Sequence, residues 1–521
     1  MNHWIAAPIL VPALAGAAML LAGERRLGLQ RALGLASCAA LVLVAAMAVE
    51  SSAAGVVQPY FVGDWPAPFG IVLVLDRLAA LMLAVAAVIA LAALAAAVAG
   101  ERPWDARGRF FHPLFQFQLM GLSGAFLTGD LFNLFVFFEV LLIASYCLLL
   151  HGQGEARLRA GLHYVVVNLV ASALFLVGVA LLYSVTGTLN LADLALRVPR
   201  VSPADAPLVR AAALLLLVVF GVKAAAFPLY LWLPRAYAAA AAPVAALFAL
   251  MTKVGVYAIV RVHGVVFGPE AGEAALVAAP WLAPAALATA LLGVVGALAA
   301  PTLSRMAAYL TVASVGTLLI AVGAFSSAAL GAALYYLAHS SLAVAALFLV
   351  VEQIAARRGT VGDRLEEGAP MVQSAFLGAL FVLAAVALIG LPPLAGFVGK
   401  TMILRSTAAL PGAGVIWSVI LVVGFLSLVG LMRAGSLVFW NTTPGAVPAG
   451  PRVHSGLVAP LALVACGIAL AMFAAPVKRY ADAAARQLGD RGQYATAVLG
   501  DPAAAATRPF PAGVRTDGAR P

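Results

Sequence analysis

The chain has 521 residues, of which 64% are hydrophobic and 10% charged, and its mean hydropathy is +1.05. That composition excludes a soluble globular enzyme or a nucleic-acid binder; the net charge of +10 reflects arginine concentrated in short loops between membrane spans, with anionic lipid its only general partner. Cys38, Cys147 and Cys466 stand singly in apolar runs without a CxxC spacing, so neither an iron–sulfur cluster nor a zinc site is expected, and no cofactor.

Runs long enough to cross a hydrocarbon core of roughly 30 Å number about fourteen. The first, residues 3–21, has its arginines after it and no basic segment before it, so it reads as a span and not a cleaved leader. Spans 2 to 6 follow at 30–49, 71–99, 111–127, 128–150 and 162–183. Arg25, Arg26 and Arg31, then Arg102, Arg107 and Arg109, then Arg157 and Arg159 fall in alternate loops, which places the N-terminus outside. The loop 186–207 breaks this alternation with Arg197 and Arg200 and reads as an amphipathic segment along the membrane surface. Span 7 (208–237) contains Pro228 and Pro234, and spans 8 to 11 lie at 243–263, 274–299, 302–325 and 328–352. Span 12, residues 374–410, would be about 55 Å long if straight, too long for one crossing and too short for two. Pro392 and Pro393 resolve this by removing helix hydrogen bonds in its middle. Spans 13 (414–440) and 14 (456–476) precede a polar tail, 477–521, expected to be poorly ordered.

Five spans carry a titratable side chain at depth. Glu139 lies nine positions past Asp130 in TGDLFNLFVFFE, about 14 Å into the membrane. Lys223 sits five residues before Pro228, Lys253 ten residues past Pro243, His339 near the middle of span 11, and Lys400 seven residues past Pro393. Unpaired, five such groups would cost about 10–15 kcal/mol, so they must face one another, water or protein. Histidine changes charge near neutral pH unaided, and lysine does so when desolvated, which suits a proton relay. Neighbouring helices stand about 8–10 Å apart, so water has to bridge the steps. The structural alternative is a set of charges that only fixes helix association. Asp76, Arg77, His112, His151, His163 and His263 lie near span ends and read as interfacial, and Glu352, at a helix end, as solvated.

The stretches TGDLFNLFVFFEVLLIASYCLLLHG, FGVKAAAFPLYLWLPRAYAAAAAPVAALFALMTKVGVYAIVR and LPPLAGFVGK together resemble the D subunit of Mrp-type multisubunit cation/proton antiporters, over all but the tail. The resemblance implies an all-α polytopic membrane protein of about 14 transmembrane helices with two inverted five-helix repeats and broken spans 7 and 12. It divides the chain into three N-terminal spans (1–110), a first repeat (111–265), a second repeat (266–440), span 14 (441–476) and the tail. The inversion is not visible in the sequence itself. By resemblance, Glu139 and Lys223 form an ion-paired couple, Lys253 and His339 are central relay groups, and Lys400 is the terminal group.

The function this implies is proton translocation within a Na⁺ or K⁺/H⁺ antiporter of a bacterial inner membrane, with other Mrp-type subunits as partners. The alternative is a proton-pumping subunit of a redox complex such as complex I or a membrane hydrogenase. A scaffold whose charges serve assembly alone is the second rival.

Overall fold

The computed structural model describes residues 2–99, 103–443 and 455–500. Three helices come first: α1 (Ala7–Ala22), α2 (Leu27–Ala53) and, after a β-hairpin, α3 (Arg77–Val98). The hairpin pairs β1 (Gln58–Phe61) antiparallel with β2 (Val72–Leu75). The third span was expected to start as helix near residue 71, and here the structure corrects the sequence. Val72-Leu73-Val74-Leu75 extends as a strand, because its partner β1 and the Gly129 amide, which donates to Val72 O at 2.8 Å, satisfy its backbone. The helix begins only at the cap Asp76, whose carboxylate accepts from the Ala79 amide at 2.8 Å.

The next group comprises α4 (Phe111–Leu127), α5 (Leu131–Leu150), α6 (Glu155–Thr186), α7 (Leu191–Arg197), α8 (Ala206–Ala224), α9 (Trp232–Ala239) and α10 (Ala242–Ala258), which ends in a π-helical turn, Ile259–His263. The loop read as a surface segment does hold a short helix, α7. However, Asp193 and Arg197 on it are buried and paired with each other at 3.1 Å. The third group comprises α11 (Ala279–Leu298), α12 (Leu303–Val322), α13 (Ser327–Arg357), α14 (Ser374–Ile389), α15 (Ala395–Thr407) and α16 (Ala413–Gly435). Spans 7 and 12 are both interrupted: α8 and α9 are separated around Pro228, and α14 and α15 around Pro392 and Pro393.

The chain closes with α17 (Ser455–Met472), α18 (Ala474–Gly489) and α19 (Arg491–Leu499). Much of the tail expected to be poorly ordered is thus helical; residues 501–521 lie outside the described residues. The missed signal is Ala481, Ala484, Ala485 and Leu488, a helical stripe that is buried against the bundle. Eleven helices among the described residues are long and apolar enough to cross a membrane, or twelve if α17 and α18, bent by 81°, count as one span. Length alone therefore does not reach fourteen, since α4 has 17 residues and each half of span 12 is shorter still.

Glycines set the closest approaches in the centre. A Cβ on Gly255 of α10 would collide with the backbone of Lys223 and Ala224, and one on Gly316 of α12 with the backbone of α11 at Ala290. Small residues of this kind let membrane helices touch backbone to backbone. Helices α10 and α13 are surrounded by the others and bury their whole apolar length.

Candidate functional site

Helix α5 is pinned at its start. Asp130 caps it by accepting from the Asn133 amide at 2.8 Å, and Asp130 also bridges Asn190 before α7. Two and a half turns on, Glu139 is half-buried and faces α6, where the Ser172 hydroxyl donates to its Oε1 in a short hydrogen bond. From the other side Lys223 Nζ donates to Ser172 Oγ at 3.4 Å, to Asn168 Oδ1 at 3.3 Å and to Asn168 O at 3.4 Å. Glu139 and Lys223 therefore belong to one network, but a serine hydroxyl stands between them. The couple implied by the resemblance is thus linked through Ser172 Oγ.

Lys223 occupies the last turn of α8, where Ala225 turns left-handed (φ 56°) and the helix ends. The interrupted backbone is not left bare. Trp232 Nε1 donates to Val222 O at 3.0 Å, and the Phe227 amide donates to Thr289 Oγ1 at 2.8 Å. Broken backbone is tolerated at membrane depth only where protein or water satisfies it in this way.

Lys253 is fully buried in α10, and its ammonium donates to Ser314 Oγ of α12 at 3.2 Å. His339 is equally buried on α13, and its Nδ1 has no hydrogen-bond partner among the described residues. Its Nε2 faces the break in span 12, where a Cβ on Gly396 would come within 2.8 Å of it. Lys400 lies just past that break on α15 and donates to Ile389 O at 2.7 Å, a carbonyl at the end of α14.

Four of the five sequence-derived residues are buried within the protein, and Glu139 is half-buried. Their helices touch in succession: α5 with α6, α6 with α8, α8 with α10, α10 with α13, and α13 with α15. No two of the five are hydrogen-bonded to each other, so each step needs an intermediate group. Ser172, Asn168 and Ser314 fill part of that need, and all three are buried.

Sequence reasoning missed two buried charge clusters. Arg261, within the π-helical turn after α10, makes a two-pronged pair with Asp76 at 2.5 and 2.9 Å, and its Nε donates to Tyr257 OH at 3.1 Å. Asp105, in the loop before α4, pairs with Arg31 at 2.6 Å and with His112 Nε2 at 3.0 Å. His263, expected at an interface, is fully buried with both ring nitrogens unpartnered among the described residues. Asp76 and Arg261 are 185 residues apart, and no local pattern in the sequence joins them. No group of three or more His, Cys, Asp or Glu among the described residues is arranged to hold a metal ion.

Two interrupted spans, each with a buried lysine at its break, and a run of titratable groups on touching helices define a polytopic transport protein. Residues 128–428 match the family described as NADH:quinone oxidoreductase/Mrp antiporter, TM, and the chain belongs to that family. It is 41% identical to the D subunit of a probable K⁺/H⁺ antiporter of Rhizobium meliloti, with 97% of this chain and 99% of the relative aligned. Against the D subunit of a Na⁺/H⁺ antiporter of Bacillus subtilis the identity is 37%, over 96% and 100% of the two chains. Among solved structures, a chain of the Mrp complex from Dietzia sp. superimposes with a TM-score of 0.86 at 30% identity, covering 96% of this chain and 100% of that one.

Proposed function

We propose that this chain is the proton-translocating subunit of a multisubunit Na⁺ or K⁺/H⁺ antiporter in a bacterial inner membrane, assembled with other Mrp-type subunits. The observation that carries this is the succession Glu139, Ser172, Lys223, Lys253, His339 and Lys400 on touching helices. Similarity to named antiporter subunits along nearly the whole chain favours a cation-coupled role over a redox-driven one.

In this reading a proton reaches Glu139, the most accessible of the five groups. It is relayed across Ser172 to Lys223, and then through Lys253 and His339 to Lys400. Each acceptor takes a proton as its neighbour gives one up, so the net change is one proton moved. A cation moving in a neighbouring subunit would shift the charge on Glu139, and through Ser172 the readiness of Lys223 to release its proton. Residues 111–265 and 266–440 are proposed as the two inverted repeats, since each contains one broken span with a lysine beside the break.

The test is cation-dependent proton movement in membrane vesicles from a strain lacking other antiporters, with Glu139→Ala in the full complex. Loss of activity with normal assembly is expected. Wild-type activity in a correctly assembled variant would refute the proposal.

A further inference from the structure

An open pocket with charged side chains in its lining lies away from the row of relay groups, at the end of the bundle where α15 finishes, α13 starts and α18 begins. It has a volume of about 560 Å³, and its polar rim is formed by Ser327, Arg405, Ser406, Lys478, Asp482 and Arg486. Lys478 and Asp482 pair with each other one turn apart on α18, and their charges cancel. Arg405 and Arg486 have no carboxylate partner among the described residues, so the cavity carries two uncompensated positive charges. The first turn of α13, a helix of 31 residues, opens onto the same space and adds its positive end.

The place of this cavity in the membrane follows from the helices around it. α17 is of spanning composition and α18 is bent from it by 81°, so an α17 that crosses the bilayer would lay α18 along the surface. Its inner face is Ala481, Ala484, Ala485 and Leu488, and its basic residues are exposed. Such a helix sits at headgroup level. The cavity floor includes Met402 and Ala332, apolar enough to receive the glyceryl end of a lipid.

We infer that this cavity binds the phosphate of an anionic phospholipid headgroup, held between Arg405 and Arg486 at the first turn of α13. Guanidinium forks match phosphate oxygens in pairs. A zwitterionic headgroup would bring its own cation against Arg405 and Arg486, which favours a headgroup of net negative charge. Lys400 lies five residues before Arg405 on α15, so the lipid would neutralise the two charges standing over the end of the relay. Recognition of the lipid does not depend on the relay, and failure of one leaves the other standing.

The test uses the purified antiporter complex containing this chain, exchanged into nanodiscs of phosphatidylcholine alone or of equimolar phosphatidylcholine and phosphatidylglycerol. Lipid retained on re-extraction is identified by mass spectrometry of the intact complex. Wild type is expected to retain phosphatidylglycerol, the Arg405→Gln/Arg486→Gln variant to retain it roughly 10-fold less, and Arg405→Lys/Arg486→Lys to recover most of it. Equal retention by the glutamine variant overturns the proposal, and so does equal retention of phosphatidylcholine by wild type. Competition by millimolar inorganic phosphate would reassign the site to a free anion and also overturns it. A photoactivatable phosphatidylglycerol needs no variant. It should label the peptide around Met402–Arg405 or that around Lys478–Arg486, and absence of label from both counts against the site.

Discussion

Ser172 holds Glu139 and Lys223 apart and together: its hydroxyl donates to the carboxylate while the ammonium donates to the hydroxyl at 3.4 Å. A hydroxyl in this position both accepts and donates, so it can pass a proton without changing its own charge. Removing it leaves two charged groups with a gap. A hydrogen bond to a charged group is worth about 1.5–3 kcal/mol, equivalent to roughly 10- to 100-fold in rate. Ser172→Ala should lower antiport by that factor with the complex assembled, and Ser172→Thr should keep most activity. Proton movement in vesicles, followed with a pH-sensitive dye, reads the result. Full activity in the alanine variant would mean that the carboxylate and the lysine communicate by another route.

Lys400 offers a test that separates a moving proton from a fixed charge. Its ammonium is held by Ile389 O at 2.7 Å, beside the break in span 12. Arginine keeps the charge and the donors but does not give up its proton in a protein. If the site needed only a cation, Lys400→Arg would be tolerated. The expected outcome is loss of transport in Lys400→Arg with native-gel assembly unchanged, and the same loss in Lys400→Ala.

The Asp76–Arg261 pair is structural. Its side chains are almost wholly out of contact with solvent and it ties the start of α3 to the end of α10. Breaking one side of a buried pair costs about 3–5 kcal/mol, because the remaining charge is stranded. Asp76→Asn should therefore lower the melting temperature of the detergent-solubilised complex clearly. The double change Asp76→Leu with Arg261→Met should recover much of that loss. A melting temperature unchanged in Asp76→Asn would show that the pair is not stabilising in this way.

Asp105 gives a pH dependence outside the spans. Burial alone would raise its carboxyl, but hydrogen bonds from His112 and Arg31, with the arginine charge, outweigh burial and hold it below the ordinary carboxylate value. A carboxylate depressed in the folded state adds stability that is fully present above its unfolded value, about 3.9. That stability disappears as pH falls through the lower, folded value. The wild-type complex should lose it only in strong acid, below about pH 4. Asp105→Asn should be less stable than wild type at neutral pH, and the difference should shrink on acidification. Parallel stability curves down to about pH 3 would contradict this.

How much of this was written in the chain differs from residue to residue. Lys223, Lys253, His339 and Lys400 were legible because a titratable group in a greasy run has no cheap explanation. The two breaks were legible because Pro228 and the Pro392–Pro393 pair remove backbone donors. Ser172 was not legible, since a serine in a membrane helix is ordinary and only the fold shows which carboxylate it meets. Asp76 looked like an interfacial residue because it sits at the end of an apolar run, and Arg261 drew no reading at all. Their burial depends on the hairpin before α3 and the C-terminal helices closing over them. The helical tail was missed because alanine-rich polar sequence was read by composition, although its buried stripe had the spacing of a helix.

The C-terminal helices reach back to residues early in the chain. Tyr480 OH meets Ser52 Oγ at 2.7 Å, Gln487 accepts from the Arg77 amide at 3.1 Å and donates to Gly55 O at 2.8 Å, and the Tyr494 ring lies 5.8 Å from the Arg261 guanidinium. These side chains follow every apolar helix in the chain, so they are made last. Until then Arg261 lacks one wall and the hairpin lacks its latch. The bundle is thus fastened by the segment made after it, and a chain ending before Tyr480 would lack all of these fastenings.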